Sequence, residues 1–381
     1  MKIPASGTRT RSLLNLPVMN KNNTESIALK KSGNRELADR MLVAVDTHAA
    51  YHVVGRQIDS AAPQPTQRVL PQSFVAFALK QLTLAREVHV VYEAGPFGFT
   101  LARTLLAHGI KCLVVTPKKL DPYHKRVRTD KTDTRELLAD LDRYVRGNTR
   151  ALRVVRIPTV EEELLRARNR QRDALCRDSA RVAARGRTLL LHFGYRVSNM
   201  WWKQQAWDRL STTVPQDILH MLEQYRTVIL ELQKLIKPLE KTITADAPKA
   251  LPVGMGKLTF ALLLREVLTW DRFKTRRQVG GFTGLCGGVL QSGSTRQDLS
   301  ITKAGHRRMR TLLIELAWRM LRYQPQCGLV KKWAPRLAAC GKNKSRRKQI
   351  IVALARQLAV DIWKWQTGRT TPQALGWALG A

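Results

Sequence analysis

The chain has 381 residues and carries 66 lysines and arginines against 29 aspartates and glutamates, so its formal net charge is +37. Such a surplus excludes an inert scaffold or a binder of small cations. It indicates a polyanionic partner, of which nucleic acid is the obvious one. Hydrophobic residues make up 44% of the chain, which is enough to form buried cores, and the length predicts two or three domains.

The composition also restricts the cellular setting. The five cysteines lie far apart and show no CxxC spacing, which argues against a zinc site and against a disulfide framework. No uninterrupted apolar run reaches the roughly 18 residues of a membrane span. Residues 1–40 lack the apolar core of a secretory signal and read as a basic, flexible arm. We therefore expect a cytoplasmic protein with no membrane partner.

Residues 41–158 show strands that alternate with helices. The apolar run 41–45 ends at Asp46, and residues 51–54 follow closely enough to be its hairpin partner. Further along, the pattern predicts helices over 73–85 and 97–108 and strands over 88–92 and 111–115. This alternation predicts an α/β layer sandwich.

Residues 159–247 are helical and rich in arginine, and 248–381 form a second, mostly helical domain. Within the first of these regions, apolar residues alternate steps of four and three from Ile218 to Ile243, which is a heptad seam. The seam fits either a coiled coil between protomers or an amphipathic helix packed on its own domain, and pairing with 160–191 would give an αα-hairpin. Residues 280–293 read as a Gly-rich loop between helices.

The acidic residues are few, so their positions are informative. Asp46 and Glu93 each end a predicted strand, and ligands of α/β sheets gather at the carboxyl ends of strands. Asp130 and Asp133 are three residues apart and share one face if their segment is helical. These four side chains offer oxygen ligands for Mg²⁺, and a pair of such ions suits phosphodiester chemistry. Glu136, three residues after Asp133, is an alternative fourth ligand.

Several motifs resemble, in the same order, the DEDD transposases of bacterial insertion sequences and the related Piv-type DNA invertases. The resemblance extends over roughly residues 41–370, and Thr134 stands where the family often has alanine. After the strand into Asp46, the motifs are Tyr92-Glu-Ala-Gly-Pro96, Arg126-Val-Arg-Thr-Asp-Lys-Thr-Asp-Thr-Arg135, Gly281-Phe-Thr-Gly-Leu285, Gln291-Ser-Gly293 and Ile301-Thr-Lys-Ala-Gly305.

The resemblance implies a fold and an activity. It implies an RNase H-like (RuvC-like) N-terminal domain whose tetrad is Asp46, Glu93, Asp130 and Asp133, with two Mg²⁺ ions per site. It implies a helical C-terminal transposase domain whose nucleophilic serine is Ser292, with Ser294 as the nearby alternative. It also implies a bacterial, nucleoid-associated recombinase that acts on donor and target DNA as a homo-oligomer, dimer or tetramer, with a structured bridge RNA as guide.

Basic residues near these motifs are candidates for contact with nucleic acid. The turn that contains Gly254 and Gly256 resembles a helix-hairpin-helix element, in which backbone N–H groups approach a phosphate, although a helix cap would look the same. Residues 331–348 form a further basic stretch, with Trp333 inside. The candidate side chains are Arg126, Arg128, Lys131, Lys303, Arg307, Arg308 and Arg310.

Other side chains and other functions stay open at this stage. We expect core packing for Trp201, and we assign no metal to His48 or His306, which lack ligand-like spacing. One alternative function is a metal-dependent, structure-selective DNA nuclease of the Holliday-junction resolvase kind, in which the tetrad directs water. A second is a non-catalytic nucleic-acid-binding protein whose acids are structural.

Overall fold

The computed structural model describes residues 36–117 and 129–380, which fall into two compact units that meet between Ile157 and Pro158. Most of the predicted arm and the candidates Arg126 and Arg128 lie outside the described residues. The first strand begins at Ala38, three residues before the expected start. Within the described residues, no helix is both long and apolar enough to cross a bilayer.

The first unit contains a five-stranded mixed sheet in the order β3-β2-β1-β4-β5. Strands β1, β2 and β3 pair antiparallel, whereas β4 pairs parallel with both β1 and β5. The α/β layer arrangement predicted from the sequence is confirmed. The elements are β1 (Ala38–Thr47), β2 (His52–Ile58), β3 (Gln67–Val69), α1 (Pro71–Gln81), β4 (Ala85–Glu93), α2 (Thr100–Ala107), β5 (Lys111–Val115) and α3 (Asp130–Val145).

The two faces of this sheet bury different helices because strand side chains alternate sides. On β1, Met41 and Val43 face the core that contains α1 and α2. The intervening Leu42 and Ala44 face α3, where Leu138 is fully buried. The strands are buried on both faces, so they read as continuous apolar runs in the sequence.

The second unit is mostly helical, with one β-hairpin. Its elements are α4 (Val160–His192), α5 (Gln204–Thr213), α6 (Gln216–Thr244), α7 (Lys257–Val267), α8 (Arg276–Thr283), β6 (Gly287–Ser292), β7 (Thr295–Ile301), α9 (Arg307–Tyr323), α10 (Gly328–Ala338) and α11 (Lys344–Gln366). The predicted Gly-rich loop over 280–293 is therefore wrong, because α8 and β6 occupy most of it. Buried side chains of α9 and α11 form the centre of the C-terminal core.

The heptad seam of α6 packs on α4 of the same chain. The two helices run antiparallel, since Gln233 donates to Ser179 and Arg172 donates to Glu240. This is the predicted αα-hairpin, and the seam does not require a second protomer to cover it. Trp201 is fully buried beside α4 and donates from Nε1 to the Ala183 carbonyl at 2.8 Å, which confirms its expected role in the core.

Candidate functional site

The sheet brings Asp46 and Glu93 to the same edge and the same face. Val45 pairs with Tyr92 across the parallel strands β1 and β4. The next residue on each strand, Asp46 and Glu93, therefore lies beside the other at the carboxyl ends of the strands. Asp46 lies two residues after Ala44 and Glu93 lies two residues after Val91, and both of these apolar residues face α3. The period of two therefore directs both carboxylates to the α3 side of the sheet.

The first turn of α3 supplies two further carboxylates at this edge. Thr129 caps the helix by accepting a hydrogen bond from the Thr132 amide, which places Asp130 and Asp133 in the first turn. The hydroxyl of buried Thr134 donates to the Asp130 carbonyl at 2.7 Å and to the Val53 carbonyl at 3.5 Å. These contacts fix the helix start against β2.

A glycine on β2 lets α3 approach closely. A Cβ atom on Gly55 would lie 3.1 Å from Cγ2 of Thr134 and 3.5 Å from Cδ2 of Leu138. The first of these distances is tighter than ordinary van der Waals contact. A larger residue on β2 would therefore push away the helix that carries Asp130 and Asp133.

His48 joins the acidic edge, which its spacing in the sequence did not indicate. Its Nε2 lies 3.2 Å from Oδ2 of Asp46 and 3.6 Å from Oδ2 of Asp130. One ligand atom from each of these three residues lies within 4.8 Å of the other two. His48, to which the sequence analysis assigned no metal, therefore lies beside two candidate metal ligands. Its position two residues after the strand-end Asp46 was the available signal.

Four members of the acidic edge line a cleft of about 710 Å³. They are Asp46, Glu93, Asp133 and Glu136, and the deeper Asp140 lines it too. Asp130 meets Asp46 through His48, beside the cleft rather than among its lining residues. Asp130 as the fourth ligand, with Glu136 as the alternative, stays a prediction.

The donor set at this edge fits a hard divalent cation. Carboxylate oxygens are the ligands that Mg²⁺ and Mn²⁺ prefer, and an imidazole is better suited to Mn²⁺ than to Mg²⁺. Nε2 of His48 lies 3.2 Å from Oδ2 of Asp46 and 3.6 Å from Oδ2 of Asp130, and both distances are shorter than two metal–oxygen bonds of about 2.1 Å. These three residues can therefore contact one ion without large movement.

Ser292 lies at the tip of the β6–β7 hairpin. It pairs with Thr295, and the two-residue connection begins with Gly293, whose φ of +54° is in the left-handed region that glycine tolerates. The whole of β6 and β7 is exposed or half-buried. Among the described residues, no side chain forms a hydrogen bond with the Ser292 hydroxyl, and no acid–histidine pair adjoins it.

The base of this hairpin is held by two glycines in direct contact. A Cβ atom on Gly305 would lie 2.4 Å from the Gly284 amide nitrogen and 2.6 Å from the Phe282 carbonyl oxygen. The His306 amide donates to that same carbonyl at 2.7 Å. The motifs Gly281–Leu285 and Ile301–Gly305 thus pack on each other and anchor the strands that carry Ser292.

His306 and Arg308 belong to a buried ion cluster around Glu266. The Glu266 side chain is 2% exposed and lies 3.0 Å from Nε2 of His306, 3.5 Å from Nη1 of Arg308 and 3.8 Å from Nε of Arg166. Arg308 also lies 3.5 Å from Asp173. Helices α4, α7 and α9 are therefore joined by charge as well as by apolar contact.

The basic candidates among the described residues divide into two groups. Arg310 donates to the carbonyls of Thr283 and Lys303, and Arg308 is engaged in the ion cluster, so both guanidinium groups have structural contacts. The side chains of Lys131, Lys303 and Arg307 are exposed. These three can reach a ligand without breaking a contact that the structure describes.

The turn that contains Gly254 and Gly256 is a well-packed helix start. Gly254 has a φ of +89°, and a Cβ atom there would lie 3.4 Å from the Arg319 carbonyl oxygen. Gly256 is the N-cap of α7 and has open space around it. Backbone hydrogen bonds join the turn to residues 378–380. The helix-cap interpretation thus accounts for Gly256, and phosphate contact there stays a prediction.

The second half of α10, the start of α11 and the turn between them are strongly basic. Residues 316–360 contain eleven lysines and arginines and no acidic residue. Most of these cations lie in 331–348, which we call the basic turn, and every lysine and arginine in it is exposed. Beside it, Arg347 lies over the ring of Trp318, with 5.4 Å from the guanidinium carbon to the ring centroid. The sequence had pointed to Trp333 here, and Trp318 was missed because it lies on α9.

Known proteins are similar to a large part of this chain. Residues 252–330 match the model of the family described as Transposase IS116/IS110/IS902. A putative transposase, y4rJ, of Sinorhizobium fredii is 32% identical over 307 residues, which cover 72% of this chain and 76% of the relative. The transposase for insertion sequence element IS1111A of Coxiella burnetii is 24% identical, covering 71% and 75% of the two chains.

A further relative is the transposase for insertion sequence element IS1328 of Yersinia enterocolitica, which is 23% identical over 69% of this chain and 79% of its own. The prediction of an insertion-sequence transposase is confirmed by these similarities. The family match spans α7 to the start of α10, including the hairpin that carries Ser292. The chain therefore belongs to the IS116/IS110/IS902 family of insertion-sequence transposases.

Proposed function

We propose that this transposase cuts and rejoins DNA with divalent ions held by Asp46, Glu93, Asp130 and Asp133 and with Ser292 as the nucleophile. The observation that carries the proposal is the convergence of these four carboxylates at one edge of the sheet. The strand order of the sheet, β3-β2-β1-β4-β5 with an antiparallel half and a parallel half, supports the RNase H-like (RuvC-like) interpretation.

The carboxylates would hold the ions and keep DNA out of the cleft until the ions bind. Bound Mg²⁺ supplies electrostatic stabilisation of phosphoryl oxygens and favours ionisation of a hydroxyl group. Asp46 and Glu93 are fixed by the sheet, and Asp130 and Asp133 are fixed by a capped helix turn. The ligands are therefore preorganised, which lowers the cost of assembling the site.

Ser292 would form the covalent bond to DNA. Its Oγ attacks a backbone phosphorus, the P–O bond to the leaving deoxyribose oxygen breaks, and the serine proton ends on that leaving oxygen or on solvent. The product is a phosphoserine diester and a free DNA hydroxyl group. A second DNA hydroxyl then attacks the same phosphorus and releases Ser292, so rejoining consumes no ATP. The exposed tip of the hairpin supports this role because the hydroxyl is open to a large substrate.

Nucleic acid would bind along the basic surfaces of both units. Lys131 near the tetrad, Lys303 and Arg307 near the hairpin, and the basic turn all have exposed cations. A net charge of +37 is large enough to engage a structured guide RNA in addition to DNA, and a homo-oligomer would present donor and target sites together. Sequencing the RNA that co-purifies with the full-length protein tests the guide. A discrete structured species supports it, and random fragments contradict it.

The test of the mechanism is a covalent protein–DNA adduct. Full-length protein is incubated with Mg²⁺ and labelled DNA that carries the ends of the insertion sequence, and denaturing gels reveal adducts. We expect adduct with the wild type and with Ser294→Ala, and none with Ser292→Ala or Asp46→Asn. Adduct that survives in Ser292→Ala would refute the serine assignment. Metal-dependent free ends without adduct would instead favour the hydrolytic nuclease, for which the acidic cleft alone is sufficient.

A further inference from the structure

Two arginines line the acidic cleft together with its carboxylates. Arg150 and Arg153 belong to the segment that follows α3, and both contribute to the cleft whose lining includes Asp46, Glu93 and Asp133. Neither residue belongs to a motif that the sequence analysis identified. Their presence is unexpected in a cleft suited to cations, because a guanidinium there weakens the binding of a divalent ion.

The segment that carries these arginines is held rigidly. The Thr116 amide donates to the Arg153 carbonyl at 3.0 Å, and the Val155 amide donates to the Val114 carbonyl at 2.7 Å. Val154 forms an antiparallel bridge with Val115 at the end of β5. Leu152 is buried in the core between the sheet and α3. The backbone thus fixes Arg153 beside the carboxyl end of the sheet.

The two guanidinium groups are not neutralised within the described residues. Arg143 pairs with Asp140 and Arg146 pairs with Asp142, whereas the side chains of Arg150 and Arg153 form no hydrogen bond or ion pair in the part of the chain that the structure describes. Both are exposed. They line the cleft without pairing with its acids, so their charge remains available to an anion that enters.

We propose that Arg150 and Arg153 bind the phosphates of the DNA strand that enters the cleft, next to the bond that is cut; this inference rests on the proposed function. Arginine suits the role because its planar fork donates two hydrogen bonds to one phosphate and keeps its charge at any working pH. The carboxylates would hold the ions, and the two arginines would bind phosphate oxygens of the strand. The arginines thereby attract the phosphodiester strand to a cleft whose carboxylates would otherwise repel it.

Full-length variants test this assignment with two measurements. The first is Mn²⁺ binding by calorimetry, and the second is Mn²⁺-dependent nicking of a supercoiled plasmid, with initial rates measured over a range of plasmid concentrations. We expect Arg150→Ala and Arg153→Ala each to reduce nicking about tenfold to a hundredfold, the loss of one charge-assisted hydrogen bond. Mn²⁺ affinity should stay equal or rise, and Arg153→Lys should recover part of the rate.

Arg86→Ala is the matched control. Arg86 is exposed and lies at the opposite end of β4 from Glu93, and its side chain has a weak, exposed contact with Asp39 at 3.5 Å. Its removal should leave nicking within twofold of the wild type. Thermal unfolding of each variant excludes loss of the fold.

The outcomes separate this inference from the function on which it rests. If the double variant Arg150→Ala/Arg153→Ala nicks at the wild-type rate while Asp46→Asn does not nick, the proposed tetrad stands and the arginine assignment is wrong. If the double variant loses Mn²⁺ binding, the arginines only organise the carboxylates, which also overturns the assignment. If Asp46→Asn nicks as fast as the wild type, the tetrad proposal itself has failed.

Discussion

Replacing Glu266 with glutamine removes the negative charge of the buried ion cluster and keeps the shape of the side chain. The carboxylate lies 3.0 to 3.8 Å from nitrogen atoms of His306, Arg308 and Arg166. Removing one partner of a buried ion pair costs about 3 to 5 kcal/mol, because the remaining charge keeps its desolvation penalty. The low end applies here, about 3 kcal/mol, because Arg308 keeps its contact with Asp173.

Thermal unfolding of the full-length protein measures this loss. For a unit of this size, about 3 kcal/mol lowers Tm by about 6 to 12 °C. Glu231→Gln is the control, since Glu231 is 61% exposed and pairs with Lys234 on the surface of α6; exposed pairs contribute at most about 1 kcal/mol. A second substitution, Arg166→Gln, should recover part of the loss in Glu266→Gln, because it removes a cation that has lost its partner.

The same cluster predicts a dependence on pH. Burial raises the pKa of Glu266, but the hydrogen bond from His306 and the charges of Arg166 and Arg308 outweigh it, so the pKa is lowered from its ordinary value of 4.5. A carboxylate whose pKa is lower in the folded state stabilises the fold. This stabilisation is complete at pH values above the pKa of the unfolded state, and it is lost as the pH falls through the pKa of the folded state. The Tm difference between wild type and Glu266→Gln should therefore shrink below pH 4.5. A difference under 1 °C at pH 7, or one unchanged in acid, would refute the reasoning.

Three further changes test other parts of the structure. Gly186→Ala should destabilise the αα-hairpin by about 1 to 3 kcal/mol, the cost of overpacking a core, because the new Cβ atom would lie 2.1 Å from the ring of Trp201. Gly281→Ala is its control, since the space around Gly281 is open, and it should not destabilise the fold in the same melting assay. Asp46→Asn should abolish Mn²⁺ binding in calorimetry, whereas Asp39→Asn, at the other end of β1, should not change it. Neutralising three cations of the basic turn should reduce the log–log salt slope of DNA binding by about 2.7, at about 0.9 for each phosphate contact, and an unchanged slope would show that this surface does not bind DNA.

The acidic edge was predictable because local pattern and sheet geometry determine it together. Asp46 and Glu93 end apolar runs, and parallel strands bring such ends to one edge. Asp130 and Asp133 follow a helix-capping threonine, so both fall in the first turn of α3. His48 was not predictable in the same way, since its approach to Asp130 depends on how α3 packs against the sheet.

The hairpin that carries Ser292 shows where composition misleads. Glycine and serine between Gly280 and Gly293 suggest a loop, but only Gly293 and Ser294 form the turn, and the flanking residues pair as strands. The Glu266 cluster was likewise out of reach. Its members come from α4, α7 and α9, separated by up to 142 positions, and no local period joins them. Only tertiary packing turns Arg308 from a candidate DNA contact into a structural residue.

Under the proposed function, the acidic cleft repels DNA and the basic surfaces attract it. A strand that enters the cleft meets Asp46, Glu93, Asp133 and Glu136, and each carboxylate–phosphate pair at 4 Å costs about 1 kcal/mol in water and about 4 near a protein surface. Divalent ions in the cleft remove this repulsion and so raise the affinity of the protein for DNA. Because the coupling is reciprocal, bound DNA raises the affinity of the protein for the ions by the same factor. The basic turn lies on another unit and its attraction for phosphate needs no ion. Affinity measured without divalent ions therefore reports the basic surfaces, and the increment that Mn²⁺ adds, and that Asp46→Asn removes, reports the strand inside the cleft.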